Sequence, residues 1–225
     1  MPIDDALAQL GPSIIVPKIE ETSSSGSYIV LPGNDYHEEL LISKERKYFG
    51  KNWHQSHEEL QKENLYMLTI REFVDFLKLL KSGNVCDENK NKIPAEQCNS
   101  ILDDILAQRN PYRGEWLNAM FKQKYESLEI IKFREGQQLQ MFLQNDYLNQ
   151  DKVLGISLDY WLANPGSHGL PQENNLDGNL FYYSPRKDHV TWFWAGSDCV
   201  RLDCYVVPRS SYSRLGVRPV KIPKK

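Results

Sequence analysis

Several features are missing from this chain of 225 residues. No apolar run approaches the ~20 residues needed to cross a bilayer, so no membrane span is expected. The four cysteines, Cys86, Cys98, Cys199 and Cys204, contain no C-x-x-C pair. That leaves neither a zinc pattern nor a disulfide framework, and all four are expected as free thiols, with Cys204 buried. Neither sign of charge dominates: 27 Lys and Arg against 30 Asp and Glu give a net charge of −3. A nucleic-acid partner therefore has no electrostatic basis, and the short basic tail Lys221 to Lys225 is expected to be a solvated terminus, with a phosphate contact as the alternative. The sequences G-x-S-x-G, G-x-x-x-x-G-K-[ST], H-E-x-x-H and G-x-G-x-x-G are absent, which removes the familiar hydrolase, nucleotide and zinc-protease signatures. Met1 to Leu10 is acidic where a secretory leader would be basic. The default location is intracellular, with surface or virion display as the alternative.

The sharpest absence is local. The twenty-six residues from Ala195 to Val220 contain no Lys, Glu, Gln, Met or Trp, although the rest of the chain uses all five. These are the residues that no codon ending in a pyrimidine encodes. A segment whose asparagine codons had their adenines randomised would show this depletion. Strand composition gives the same depletion for three of the five, because Lys, Glu and Gln are poor strand formers, so composition alone leaves both explanations open.

What is present suffices for a core: 40% of residues are hydrophobic and 11% aromatic. Residues 1–27, with Pro12, Pro17 and a Ser-rich run from Ser23 to Ser27, are expected to form a flexible arm. A strand ends at Leu31. Thr69 and Glu72 form a capping box for a helix over 70–81 whose apolar face is Ile70, Phe73, Val74, Leu77 and Leu80, stopped by Gly83. A second helix is expected from about Pro94 to Gln108, with Pro94 in its first turn. Trp116, Leu117, Met120 and Phe121 suggest a short helical piece. Beyond Leu128 the period changes to that of a hairpin around Glu135-Gly136. A short helix carrying Leu158 to Leu162 follows, then a loop over 166–178. Strands are expected near 179–184, 190–195, 200–206 and 215–222. The sum is an α+β fold with helices first and antiparallel sheet later.

Alternation divides the last strands into two sets. Phe193, Leu202 and Cys204 are expected inside as scaffold. Trp192, Trp194, Gly196, Asp198, Arg201 and Asp203 would then face outward. The segment after them, Val206, Val207, Arg209, Tyr212 and Arg214 with its serines, is expected as a loop beside that face, where Tyr supplies area and Ser adaptable hydrogen bonds. With Thr191 and Cys199 these residues are the candidate ligand-binding set. An ordinary solvated strand face and surface loop account for the same pattern. Trp cannot arise from a randomised asparagine codon, so Trp192 and Trp194 need another template codon, or one of them is scaffold. Gly216 and Arg218 are expected to be structural, Arg218 pairing with a buried carboxylate or with carbonyls. His54 and His57 could share a helical face, but no third ligand is indicated, so no metal and no cofactor are expected. His189 and Ser197 are weak candidates for a base and nucleophile, and the adjacent carboxylate pairs diverge too far for a catalytic dyad.

The segments Pro185 to Asp188, Val190, Phe193, Ala195, Ser197, Leu202, Cys204, Pro208 and Leu215 to Arg218 carry a resemblance. So do Glu39 to Arg46, Lys51 to His54, Met67 to Phe73 and Arg113 to Ala119 upstream. In this order they resemble the variable proteins of archaeal diversity-generating retroelements, the AvpA-like group, over most of the chain from about Leu40. The resemblance implies a C-type lectin-like domain over 28–225, with a variable region at about 185–218 that displays a hypervariable ligand-binding surface on a fixed scaffold. It also implies that a reverse-transcriptase-based element diversifies the gene. The Glu-Pro-Asn, Gln-Pro-Asp and Trp-Asn-Asp sequences of calcium-dependent sugar lectins are absent, which argues against calcium-bridged sugar binding. The expected function is non-enzymatic recognition of a macromolecule, a protein surface in the first place. The alternatives are an enzyme of unrecognised type and a self-associating structural or virion component.

Overall fold

A computed structural model describes residues 26–134, 136–143, 146–173 and 178–223. Apart from Gly26 and Ser27, the arm expected over 1–27 lies outside the described residues, as do Lys224 and Lys225 of the basic tail. Along the chain run β1 (Tyr28–Leu31), β2 (Leu40–Ser43), α1 (Trp53–Lys62), β3 (Tyr66–Met67), α2 (Ile70–Ser82), α3 (Ala95–Leu106), β4 (Arg113–Lys124), β5 (Ser127–Arg134) and β6 (Gln137–Phe142). They are followed by β7 (Lys152–Ile156), α4 (Leu158–Ala163), β8 (Leu180–Tyr183), β9 (Val190–Ala195), β10 (Val200–Val206), β11 (Leu215–Val217) and β12 (Pro219–Lys221). The chain is mixed α+β, but its helices are not confined to the first half: α4 lies among the later strands, and β1 to β3 precede or flank the early helices.

Local chemistry sets the helix ends. In α2 the Thr69 hydroxyl accepts from the Glu72 backbone N–H at 3.2 Å, and the Glu72 carboxylate accepts from the Thr69 N–H at 2.8 Å. This reciprocal cap satisfies two donors that a helix start leaves unpaired. Gly83 ends the helix at φ +64°, a left-handed conformation that costs glycine little. Asn52 and Gln55 cap α1 in the same way. Pro94 sits at the N-cap of α3 rather than in its first turn.

Two sheets form. The small one has the order β1-β2-β12-β3 and is antiparallel throughout. The large one has the order β6-β5-β4-β9-β10-β8-β7, with β11 beside β4; β8–β10 and β4–β11 are parallel and the other pairs antiparallel. The inner face of the large sheet, with Leu117, Phe121, Phe193, Leu202 and Cys204, joins the apolar side of α2 in the main core. Phe73 of α2 meets Phe193 at 4.9 Å between ring centroids. The opposite face is only partly covered. Trp53 and Leu60 of α1 pack over Trp116, Met120 and Ile131, and among the described residues no helix covers the outer side of β10 and β8.

The segment around Trp116, Leu117, Met120 and Phe121 is strand β4, not helix. Trp116 and Met120 pack toward α1 while Leu117 and Phe121 pack toward α2. With both faces buried, the polar half of the alternation is missing, and the spacing imitates a helical stripe. The four cysteines are free thiols, with Cys98, Cys199 and Cys204 buried and Cys86 exposed.

A buried ion cluster joins the sheets. Glu115 of β4 is 0% exposed, and Arg113 and Arg218 are each 2% exposed. Glu115 Oε2 lies 2.9 Å from Arg113 Nη2 and 3.4 Å from Arg218 Nε. Arg218 Nη1 donates to the carbonyls of Ser43 and Lys44 beside β2, at 3.0 and 2.6 Å. Burial pushes the Glu115 pKa up, but the guanidiniums of Arg113, Arg218 and Arg46 outweigh it and hold the carboxyl below its ordinary value.

His57 of α1 packs between Trp53 and Phe133, at centroid distances of 4.2 and 5.1 Å. Its Nε2 is buried without a hydrogen-bond partner, and burial lowers its pKa to about 3, with His54 adding to the effect. The fold therefore favours neutral imidazole, whereas the unfolded chain takes up its proton near pH ~6.5. This contribution is complete above about pH 6.5 and is lost as the pH falls toward 3. Unfolding of His57→Leu, followed by circular dichroism in urea, should show a shallower loss of stability across that window than the wild type does.

Candidate functional site

The register of three strands builds one outward face. In β9 and β10, Trp194 pairs with Arg201 and Trp192 with Asp203. Parallel β8 continues the rows, with Phe181 beside Arg201 and Tyr183 beside Asp203. Directly paired residues lie on the same side of a sheet. Two rows result, Trp194–Arg201–Phe181 and Trp192–Asp203–Tyr183.

Arg201 is the centre of the first row. Its Cζ lies 4.0 Å from the Trp194 ring centroid and 5.9 Å from that of Tyr183. No carboxylate forms an ion pair with it among the described residues. The cation–π contact contributes about 0.5–1 kcal/mol, and the guanidinium also interacts with the Cys199 thiol. Tyr112 stacks on Trp194, with centroids 5.8 Å apart and planes at 28°. The loop after β10 comes to the border of this face: Tyr212 meets Trp192 at 5.3 Å, and Val207, Arg209, Tyr212 and Arg214 are exposed.

Not every residue of the candidate set belongs there. Thr191 shares the phase of Phe193 and Ala195 and is fully buried, in register with Leu117. Cys199 closes the β9–β10 turn, its carbonyl accepting from the Gly196 N–H at 3.0 Å, with its side chain inside. A register shift between Asp203 and Val206 turns Val206 into the cluster of Trp116, Val190 and Leu215. Gly196 is buried, and a Cβ there would collide with the Trp194 ring; it is the floor under the indole rather than a contact. Asp203 lies on the outer side by register but is only 7% exposed. Burial raises its carboxyl pKa, and Oδ1 accepts from the Tyr205 N–H at 3.0 Å. Trp192 is half-buried, leaning on Trp116 at 5.8 Å and on the second core cluster, so it serves partly as frame. The accessible set is thus Trp194, Asp198, Arg201, Val207, Arg209, Tyr212 and Arg214. Phe193, Leu202, Cys204, Gly216 and Arg218 are all buried.

Phe181, Tyr183 and Tyr112 were not anticipated. Alternation in Leu180-Phe181-Tyr182-Tyr183 is visible in the sequence, since Leu180 and Tyr182 are buried and their neighbours are not. Nothing local, however, signals the pairing of β8 with β10 across the chain. His189 and Ser197 lie beyond opposite ends of β9 and do not meet. Among the described residues, no group of three His, Cys, Asp or Glu side chains could hold a metal ion. The face can stack against rings, accept apolar contact and donate hydrogen bonds from Arg201. No family model, no curated protein and no solved structure matches this chain, so its role rests on this geometry.

Proposed function

We propose that the chain is a binding protein of the retroelement-diversified kind, with a C-type lectin-like scaffold and a recognition surface formed by the outer side of β9 and β10 and the loop to Arg214. The observation that carries this reading is the interleaving on those strands. Phe193, Leu202 and Cys204 are locked in the core, while Trp194 and Arg201, one position away, form an open aromatic–guanidinium platform. Codons for the outer set can change without disturbing the inner set, and the residues missing from 195–220 are those a randomised asparagine codon cannot produce. The ligand is a protein surface: Trp, Tyr and Arg dominate protein hot spots, and the Tyr-Ser loop has the composition of an adaptable paratope.

Sequencing the gene across sibling lineages tests the reading. Substitutions should gather at Asp198, Arg201, Val207, Arg209, Tyr212 and Arg214 and spare Phe193, Leu202, Cys204 and Gly216. An even spread along the gene, or changes at the inner positions as frequent as at the outer ones, would refute it.

A further inference from the structure

A second site lies on the other side of the large sheet. In β5, Ile131 and Phe133 pack toward α1, so Lys132 and Arg134 point the opposite way, by strand alternation. In the neighbouring β6, Leu139 pairs with Lys132 and Met141 with Ile130. Together with the start of α2 and the Ser167 loop they enclose a cavity of about 210 Å³. Its mouth is apolar: Leu139 and Met141 remain 42% and 37% exposed.

Three donor-bearing groups in its wall are unused. Lys132 makes no ion pair and no hydrogen bond among the described residues, and Arg134 Nε and Ser167 Oγ are buried without partners. The other cationic groups are occupied. Arg71 Nε lies 3.0 Å from Asp75, and Arg134 Nη2 lies 2.9 Å from Glu38. The lining carboxylate, Glu72, is engaged in the α2 cap. A buried polar group without a partner costs about 1–3 kcal/mol, and two of them beside the half-buried Lys132 in one cavity wall need a common explanation. Burial lowers the Lys132 pKa, Glu72 opposing and Arg134 adding to it, so a negative charge placed here would find a poorly solvated ammonium.

We propose that this cavity binds a small organic monoanion. Its carboxylate is received by Lys132 Nζ, Arg134 Nε and Ser167 Oγ, and its short apolar body lies against Leu139, Met141 and Tyr36. A carboxylate fits better than a phosphate dianion because Arg71 and Arg134 are already neutralised, leaving Lys132 as the lining cation without an ion pair among the described residues. The site is on the opposite side of the sheet from Trp194 and Arg201, so its success or failure is independent of the recognition surface.

The test uses the whole chain, with benzoate as the probe and inorganic phosphate in parallel. Calorimetry should give a benzoate dissociation constant of about 1 mM or below. The value should weaken about tenfold or more in Lys132→Met and stay near wild type in Lys132→Arg. In the wild-type protein, NMR titration of the Lys132 ammonium should show its pKa rising when benzoate is present, a readout that needs no variant to fold. The proposal is overturned if benzoate leaves the Lys132 and Met141 signals unmoved, if Lys132→Met binds as well as wild type, or if phosphate binds more tightly than benzoate.

Discussion

Replacing Glu115 with glutamine is expected to cost about 3–5 kcal/mol of folding free energy. Glutamine keeps nearly the same shape, so packing changes little. What is lost is the charge that two guanidiniums, each 2% exposed, require. Arg113 retains only Asp104, 3.2 Å away, whose side chain is 41% exposed. Arg218 retains the Ser43 and Lys44 carbonyls and the Phe76 ring, 5.5 Å from its Cζ. A buried cation loses hydration on folding, and dipoles alone repay only part of it. Urea unfolding should show the transition midpoint falling with the slope unchanged, the mark of an altered native state rather than of altered compactness. The position of the cluster explains the size of the effect: it links β4 of the large sheet to β2 of the small one, so breaking it loosens the junction of both. Replacing Glu115, Arg113 and Arg218 together by apolar residues of similar volume should restore much of the loss, since no stranded charge remains.

The second large effect separates frame from surface within one strand pair. Phe193→Ala is expected to destabilise by about 3–5 kcal/mol. The ring is fully buried, meets Phe73 at 4.9 Å and faces Trp161 at 6.5 Å. Its removal leaves a cavity that α2 and α4, anchored by their own contacts, cannot close. Asp198→Ala and Arg209→Ala, by contrast, should change stability by no more than about 0.5 kcal/mol. Both side chains are exposed, and neither forms an ion pair among the described residues. Melting curves of the three variants under one buffer compare them directly.

Local signals were legible wherever the chemistry itself was local. Thr69, Glu72 and Gly83 mark both ends of α2, and the alternation of β9 separates Phe193 from Trp194. Arg218, expected beside a buried carboxylate or carbonyls, meets both, Glu115 and the Ser43 and Lys44 carbonyls. Signals failed where a partner distant in sequence decides the outcome. Trp116 to Phe121 has its two sides covered by α1 and α2, and its one polar residue, Asn118, is buried as well, so no polar alternation marks the strand. Thr191 and Asp203 show two limits of alternation. Thr191 is polar yet in the inward phase. Asp203 is in the outward phase yet covered, because Trp192 and Tyr183 flank it in register. The contributions of Phe181, Tyr183 and Tyr112 depend on strand order and on an aromatic stack, neither of which leaves a trace in local composition.

The central claim is that one set of residues in the last strands holds the fold while its neighbours are free to vary. Two libraries displayed on cells and challenged with protease measure this directly. One randomises Asp198, Arg201, Val207, Arg209, Tyr212 and Arg214; the other randomises Phe193, Leu202, Cys204 and Leu215. The account predicts that most members of the first library resist cleavage as the parent does and that almost none of the second do. Equal loss of resistance in the two libraries would contradict it.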